Sequence, residues 1–375
     1  MPKVIVGMSG GVDSSITAFL LREQGYEVEG ISFILWESRQ RTDFATCCSM
    51  QAIEEASETA SRIGTPHSVI DVRDAFIEKV IEPFVDAYTK GLTPNPCILC
   101  NRYIKFPFLL KEAEKRGADF IATGHYARIV SSFEFRVSSS KISDRNLSLS
   151  AYHSLLLKGI DPKKDQSYFL YVLRKEELNK LLLPLGEYKK EDVRRLANKL
   201  KLPSAQRPES QEICFIEDRN YFKFINKLNP LVNAKGHIVD MDGNVLGEHN
   251  GIYHYTVGQR KGLGISSQKP MYVVKIDALK NIVHVGPQEA AEVKEFEVRD
   301  INWLPNLTIQ PFNHLTFRAT VRVRSMMNDA PATIYKAKGS DTVKVIFDMP
   351  QWAPAPGQSA VFYDRDVVIG GGVIR

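Results

Sequence analysis

The sequence predicts an α/β fold: a parallel sheet covered by helices, then a small central domain and a C-terminal β-barrel. Three observations lead there. Over roughly the first 125 residues, short β-branched runs alternate with helical stretches, the pattern of a parallel sheet buried on both faces. From about Pro203, glycines and turns multiply, as in HIVDMDGNVLGEHNGIYHYTVGQRKGLG. After about Pro287 almost every stretch reads as strand and turn, which suggests a small barrel or sandwich. These changes divide the chain into residues 1–203, 204–286 and 287–375.

Taken in order, residues 4–8 form an apolar strand and 12–24 a helix; 28–33 form the next strand. Residues 52–63 read as a helix, 68–72 as a strand and 73–89 as a helix. A Pro-rich loop follows, then a helix over 106–116 and a strand over 120–123. Sheets of this kind bind ligands beyond the carboxyl ends of their strands. Residues 8–14 and 123–125 stand at two such ends and are expected to line one crevice. Residues 131–149 are Ser-rich and read as a surface hairpin or insertion away from the site. Helices return at 175–183 and 189–200.

Composition narrows the class. The 375 residues are 43% hydrophobic and 25% charged, as in a globular protein large enough for several cores. No apolar run is long enough to span a membrane, and the N-terminus carries no signal-peptide pattern. Five cysteines, with Cys47 and Cys48 adjacent, fit reduced thiols in the cytoplasm better than a secreted disulfide framework. A net charge of +5 permits a polyanionic partner.

The stretch SGGVDS, Ser9 to Ser14, carries the first chemistry. Two glycines let backbone amides approach an anion, Ser9 and Ser14 add hydroxyl donors, and a helix N-terminus follows. The plain alternative is a capped helix, with Asp13 or Ser14 as the cap. The lysine of the common phosphate-binding loop is missing. The stretch resembles the loop of the PP-loop pyrophosphatases, which cleave ATP between its α- and β-phosphates. In that reading Asp13 either helps position Mg²⁺ or caps the helix.

TPNPCILCN, residues 93–101, holds Cys97 and Cys100, and Cys214 lies far along the chain in ICFI. A C-x-x-C pair serves zinc, redox or iron–sulfur chemistry. No second C-x-x-C or close His pair completes a zinc site. Cys214 alone reads as a small buried hydrophobe, and Cys47 and Cys48 as structural or incidental.

Together, SGGVDS, TPNPCILCN, TGHY, KDQSYFL, ICFI, YHYTVGQRKGLG and a late PGQ resemble the tRNA-specific 2-thiouridylases, a family of wobble-uridine sulfurtransferases. The resemblance covers most of the chain. It implies an adenine-nucleotide α-hydrolase-like (PP-loop) domain, a central domain and a C-terminal β-barrel. It also implies ATP and Mg²⁺ as cofactors, and tRNA with an unmodified wobble uridine as partner. Sulfur would arrive from a sulfur-carrier protein or a cysteine desulfurase. By the same resemblance Cys214 carries a persulfide, and Cys100 releases its sulfur, ending in a Cys100–Cys214 disulfide. Arg102 and Lys105 would lower the thiol pKa values. The family commonly has Asp where this chain has Cys97, so a [4Fe–4S] cluster on Cys97, Cys100 and Cys214 is a second route.

Carried over residue by residue, Gly7, Met8, Ser9, Gly10, Gly11, Val12, Asp13, Ser14, Phe33 and Gly124 would contact ATP. Asn95, Pro96 and Cys97 would lie at a flipped base. His125, Lys164, Asp165, Gln166, Arg324, Ser325 and Gln358 would touch tRNA. In FRATVRVRS, Arg318, Arg322 and Arg324 alternate with apolar residues, which predicts one basic strand face for phosphates. Amide ligation, from the same loop superfamily, leaves the three cysteines without work. A non-catalytic iron–sulfur or RNA-binding protein leaves the phosphate turn unexplained.

Overall fold

The computed structural model describes residues 1–36, 50–131, 154–206, 213–216, 220–229, 234–304, 316–336 and 341–375. Cys47, Cys48, Arg207 and all but the first residue of the Ser-rich stretch lie outside the described residues.

The first strands are β1 (Lys3–Gly7), β2 (Glu27–Ile34), β3 (His67–Asp71) and β4 (Phe120–Ala122). The hairpin β5 (Ala127–Ser131) and β6 (Ser154–Lys158) follows, then β7 (Leu181–Leu182). The parallel sheet runs β3-β2-β1-β4-β7. β1 sends Val4 and Val6 to one face and Ile5 to the other, the period-two rule of a strand buried on both sides. On the first face they meet helices α1 (Val12–Glu23) and α2 (Met50–Ile63), through Ile16, Ala56 and Ala60. Strand order reverses between β1 and β4, so a crevice opens beyond their carboxyl ends.

The Pro-rich stretch is not all loop. Helices α3 (Arg73–Phe76) and α4 (Glu82–Thr89) are joined by a π turn, Ile77–Ile81. Helices α5 (Pro96–Cys100) and α6 (Phe106–Lys115) are joined by another, Asn101–Lys105. Each π turn leads into a proline, Pro83 or Pro107. A proline inside a helix has no N–H and presses on the carbonyl four residues back, here Lys79 or Tyr103; widening the turn relieves both problems. Asn95 starts α5 by accepting from the backbone N–H groups of Cys97 (3.2 Å) and Ile98 (3.4 Å), and Pro96 follows where a missing N–H is harmless. α6 then packs Phe106, Leu109 and Ala113 on the second face of the sheet against Ile5, Ile31 and Ile121.

The central domain is a four-stranded sheet of β8 (Gly236–Val239), β9 (Val245–His249), β10 (Tyr272–Asp277) and β11 (Ile282–Gly286), ordered β10-β11-β8-β9. Last come β12 (Glu292–Trp303), β13 (Thr316–Arg322), β14 (Ala330–Lys336), β15 (Val343–Trp352), β16 (Ser359–Asp364) and β17 (Val367–Ile374). They run β12-β15-β14-β13-β16-β17, and pairing of β12 with β17 closes a barrel. The hairpin β5–β6 continues this sheet through Val367 opposite Leu157, so barrel and nucleotide-type domain share backbone hydrogen bonding.

A second joint lies at the P-G-Q turn. The Thr93 N–H donates to the Pro356 carbonyl at 2.8 Å, and Gln358 Nε2 donates to the Thr93 carbonyl at 3.0 Å. Gly357 has φ +90°, and a Cβ there would stand 2.8 Å from the Thr93 nitrogen. Gly357→Ala is therefore expected to destabilise the protein by about 1–3 kcal/mol, read as a lower Tm.

Candidate active site

At the β1/β4 switch point lies a cavity of about 370 Å³. The turn 8–14 forms its floor. Ser14 Oγ accepts from the Ser9 N–H (3.2 Å) and donates to the Gly11 carbonyl (3.1 Å), which fixes the turn. Gly124 closes the other side, where a Cβ would meet Asp13 C and Ser14 N at 2.8 Å. Every residue expected to contact nucleotide lines this cavity except Gly10. Gly10 (φ +72°) instead abuts α2, where a Cβ would sit 2.1 Å from the Ala52 carbonyl oxygen.

The missing loop lysine is supplied from elsewhere. Lys105, Lys164, Lys190 and Arg194 all line the cavity. Lys190 opens the helix Lys190–Lys199, and its Nζ lies 2.6 and 2.7 Å from the two carboxylate oxygens of Asp13. Tyr126 adds its hydroxyl to Asp13 Oδ1 at 2.7 Å. Asp13 is thus no helix cap: Gly11 occupies the cap position without a side-chain bond. Among the described residues it is the one acid that lines the cavity. In the sequence Lys190 falls simply within the helix read over 189–200; nothing local links it to residue 13.

His125 and Phe33 form the apolar wall. The imidazole stacks on Phe106 at 5.8 Å and bonds Thr123 Oγ1 through Nδ1 at 2.8 Å. Burial, and then the charge of Lys105, push its pKa down to about 3, so the ring is neutral at neutral pH. Phe33 lines the cavity and packs edge-on against Phe108.

The motif KDQSYFL serves two sides. Lys164 and Gln166 line the cavity. Asp165, expected at tRNA, is turned inward with 3% of its side chain exposed, because it accepts from Gly159 N, Ser167 N, Ser167 Oγ and Arg322 Nη1. The basic face expected on β13 is likewise neutralised from within. Val321 and Val323 do point into the barrel core, but Arg318 forms a two-pronged pair with Asp348 at 2.6 Å, and Arg322 is buried against Asp165. Arg324 Nη2 donates to the carbonyls of Val257 (2.8 Å) and Ala353 (2.9 Å), which pins the GQRKGLG loop to the barrel, with Ser325 half-buried beside it.

Cys100 is buried and Cys214 half-buried in one apolar cluster. Leu35 belongs to that cluster and also lines the cavity, so thiols and phosphate turn share a wall. Cys97 is exposed at the first turn of α5. Among the described residues no three His, Cys, Asp or Glu side chains converge as a metal site, so Cys97, Cys100 and Cys214 do not form the expected cluster set here. Arg102 leans on Tyr103 and Lys105 on the cavity. Gln358 holds the Thr93 carbonyl, two residues before Asn95 and Pro96 on the loop that leads to Cys97 and Cys100.

Comparison with known proteins places the chain. Residues 2–218 match the tRNA methyl transferase HUP domain profile, 223–287 the tRNA methyl transferase PRC-barrel domain and 293–374 the aminomethyltransferase β-barrel domain. The tRNA-specific 2-thiouridylase MnmA of Clostridioides difficile is 42% identical over 100% of this chain and 98% of its own length. MnmA 1 of Caldanaerobacter subterraneus subsp. tengcongensis is 46% identical over the same shares. The chain belongs to the MnmA family. The family's three-part architecture is the one seen here, a HUP parallel-sheet domain followed by a PRC-barrel domain and a β-barrel. MnmA of Acetivibrio thermocellus, 44% identical over 100% of this chain and 99% of its own, extends the set.

Two outcomes follow from the cavity. Lys190→Gln should weaken ATP binding about tenfold, measured by titration calorimetry, since one charge-assisted phosphate contact is lost. The low His125 pKa means that below about pH 6.5 the unfolded chain takes up a proton there and the native chain does not. Stability at this residue is complete above pH 6.5 and is lost as pH falls toward 3. His125→Gln should therefore lose about 2 kcal/mol less than wild type between pH 7 and pH 5 in paired melts.

Proposed function

We propose that the protein is an ATP-dependent tRNA-uridine 2-sulfurtransferase that makes 2-thiouridine at the wobble position. The observation that carries this is the shared residue Leu35: it lines the cavity, where Lys105, Lys164, Lys190 and Arg194 surround the phosphate turn, and it belongs to the apolar cluster that holds Cys100 and Cys214. Methyl transfer, which the wording of two matched profiles suggests, would leave both the turn and the thiols without chemistry.

The oxygen at C2 of uracil is a poor leaving group. In the first step it attacks the α-phosphorus of ATP, and the bond to pyrophosphate breaks. Backbone amides of the turn, with Lys164, Lys190 and Arg194, stabilise the departing pyrophosphate. In the second step the outer sulfur of a persulfide on Cys214 attacks C2, and AMP leaves with the former uracil oxygen. The Cys100 thiolate then attacks the Cys214 sulfur, which frees the thiocarbonyl and leaves a Cys100–Cys214 disulfide. A two-electron reductant restores the thiols, and a cysteine desulfurase or sulfur carrier reloads Cys214 in the cytoplasm.

Mg²⁺ would come with ATP as counter-ion to its phosphates, and Asp13 is the cavity's acid that faces it. In this reading Asn95, Pro96, Cys97 and Gln358 would meet a base drawn out of its stack, with His125, Lys164 and Gln166 reaching it from the cavity, where neutral His125 offers a ring edge rather than a charge. Arg324 and Ser325 support that surface through the pinned GQRKGLG loop. The persulfide route is favoured because the three cysteines do not converge on one point.

The test uses the full chain with ATP, Mg²⁺, a sulfur source and unmodified tRNA. Cys100→Ser and Cys214→Ser should each abolish 2-thiouridine in nucleoside mass spectrometry and keep tRNA-dependent pyrophosphate release. Retained thiolation in the Cys214 variant would sink the persulfide assignment.

A further inference from the structure

We infer that Arg322, on barrel strand β13, is a positioning residue for the nucleotide cavity and acts through Asp165. This rests on the cavity's assignment to ATP. Arg322 belongs to the barrel, yet its Nη1 reaches 2.8 Å to Asp165 Oδ2 in the N-terminal domain. Both side chains are nearly sealed from water, at 10% and 3% exposure. Its guanidinium lies over the Tyr363 ring at 5.0 Å, and Nη2 sits 3.4 Å from Asp329.

A buried ion pair of this kind seldom adds net stability over an apolar pair of similar size, so its geometry is the more informative property. Asp165 is held on several sides. Oδ1 accepts from Gly159 N (3.1 Å) and Ser167 N (3.1 Å), and Oδ2 accepts from Ser167 Oγ (3.0 Å) and Arg322. The carboxylate therefore ties the two ends of segment 159–167 together, with the barrel as its anchor.

The residues on either side of Asp165, Lys164 and Gln166, line the cavity. Gln166 grips Tyr126 twice: its N–H donates to the Tyr126 carbonyl (2.8 Å), and its Oε1 accepts from the Tyr126 N–H (2.9 Å). Tyr126 in turn donates its hydroxyl to Asp13, the residue that holds Lys190. A continuous set of bonds thus runs from the barrel through Arg322, Asp165, Gln166 and Tyr126 to Asp13 on the phosphate turn. Ser167 Oγ and Tyr363 OH (3.2 Å), with Tyr168 OH on the Ser359 carbonyl (2.8 Å), hold the same segment against β16. Barrel placement and phosphate-turn shape are mechanically linked, so whatever the barrel docks against is reported at the nucleotide.

The test measures ATP binding to the full chain by calorimetry, without tRNA and well below the Tm of every variant. Asp165→Asn keeps one acceptor oxygen for Gly159 and Ser167 but turns an amide on Arg322. Arg322→Met removes the other partner, and the double variant leaves no buried charge unpaired. Each single variant should weaken ATP about tenfold, and the double no further than the singles, because both cut one link. Arg322→Lys should recover part of the loss. Lys344→Met, which breaks the exposed barrel pair with Glu295 instead, should leave ATP affinity unchanged. Wild-type affinity in the folded single variants, or additive losses in the double, would overturn the coupling. A wild-type chain that binds no ATP would overturn the nucleotide assignment beneath it.

Discussion

A carboxylate buried between two domains is the constraint on which this structure turns. Asp165 accepts four hydrogen bonds from three directions, and no bulk water is available to replace any of them. Its neighbours alternate in allegiance: Lys164 and Gln166 face the nucleotide cavity, while Asp165 and Ser167 face the barrel. One short segment therefore belongs to two structures at once. The hairpin β5–β6, joined to β17, and the P-G-Q turn, joined to Thr93, repeat that theme on other sides. The barrel does not line the cavity itself but holds the segment that does.

The chemistry depends on a charge balance inside the cavity. Among the described residues four cations and one acid line it, and the acid is already engaged by Lys190 and Tyr126. A polyphosphate entering this space meets groups whose charges are arranged before it arrives, which is the condition for electrostatic catalysis without reorganisation. The thiols need the opposite surroundings. Cys100 sits with Phe76, Phe84, Ile104 and Phe215 in an apolar cluster, with Cys214 packed against it. Leu35 marks the border between the two environments.

How much of this was legible in the sequence depended on the range of the interactions. Ser9 to Ser14 could be read directly, since a strand, two glycines and a helix start are local, and all but Gly10 line the cavity. Alternation in FRATVRVRS correctly sent Val321 and Val323 inward. The fate of the arginines could not be read, because their partners Asp165, Asp329 and Asp348 come from other parts of the chain. Lys190 was hidden for the same reason, lying 177 positions from Asp13. Residues 96–105 were misread for a local reason: prolines were taken as loop markers, whereas Pro96 opens a helix and Pro107 is accommodated by a π turn. The motif KDQSYFL was visible as a motif, but only packing separates its cavity-facing members from its barrel-facing ones.

The central claim is that uracil oxygen leaves on AMP. A synthetic anticodon stem-loop with ¹⁸O at O2 of the wobble uridine, turned over once with ATP and a persulfide-loaded protein, tests it directly. The account predicts AMP carrying one ¹⁸O atom for each 2-thiouridine formed. Unlabelled AMP, with the label in inorganic phosphate, in water or still in the thiolated RNA, would contradict it.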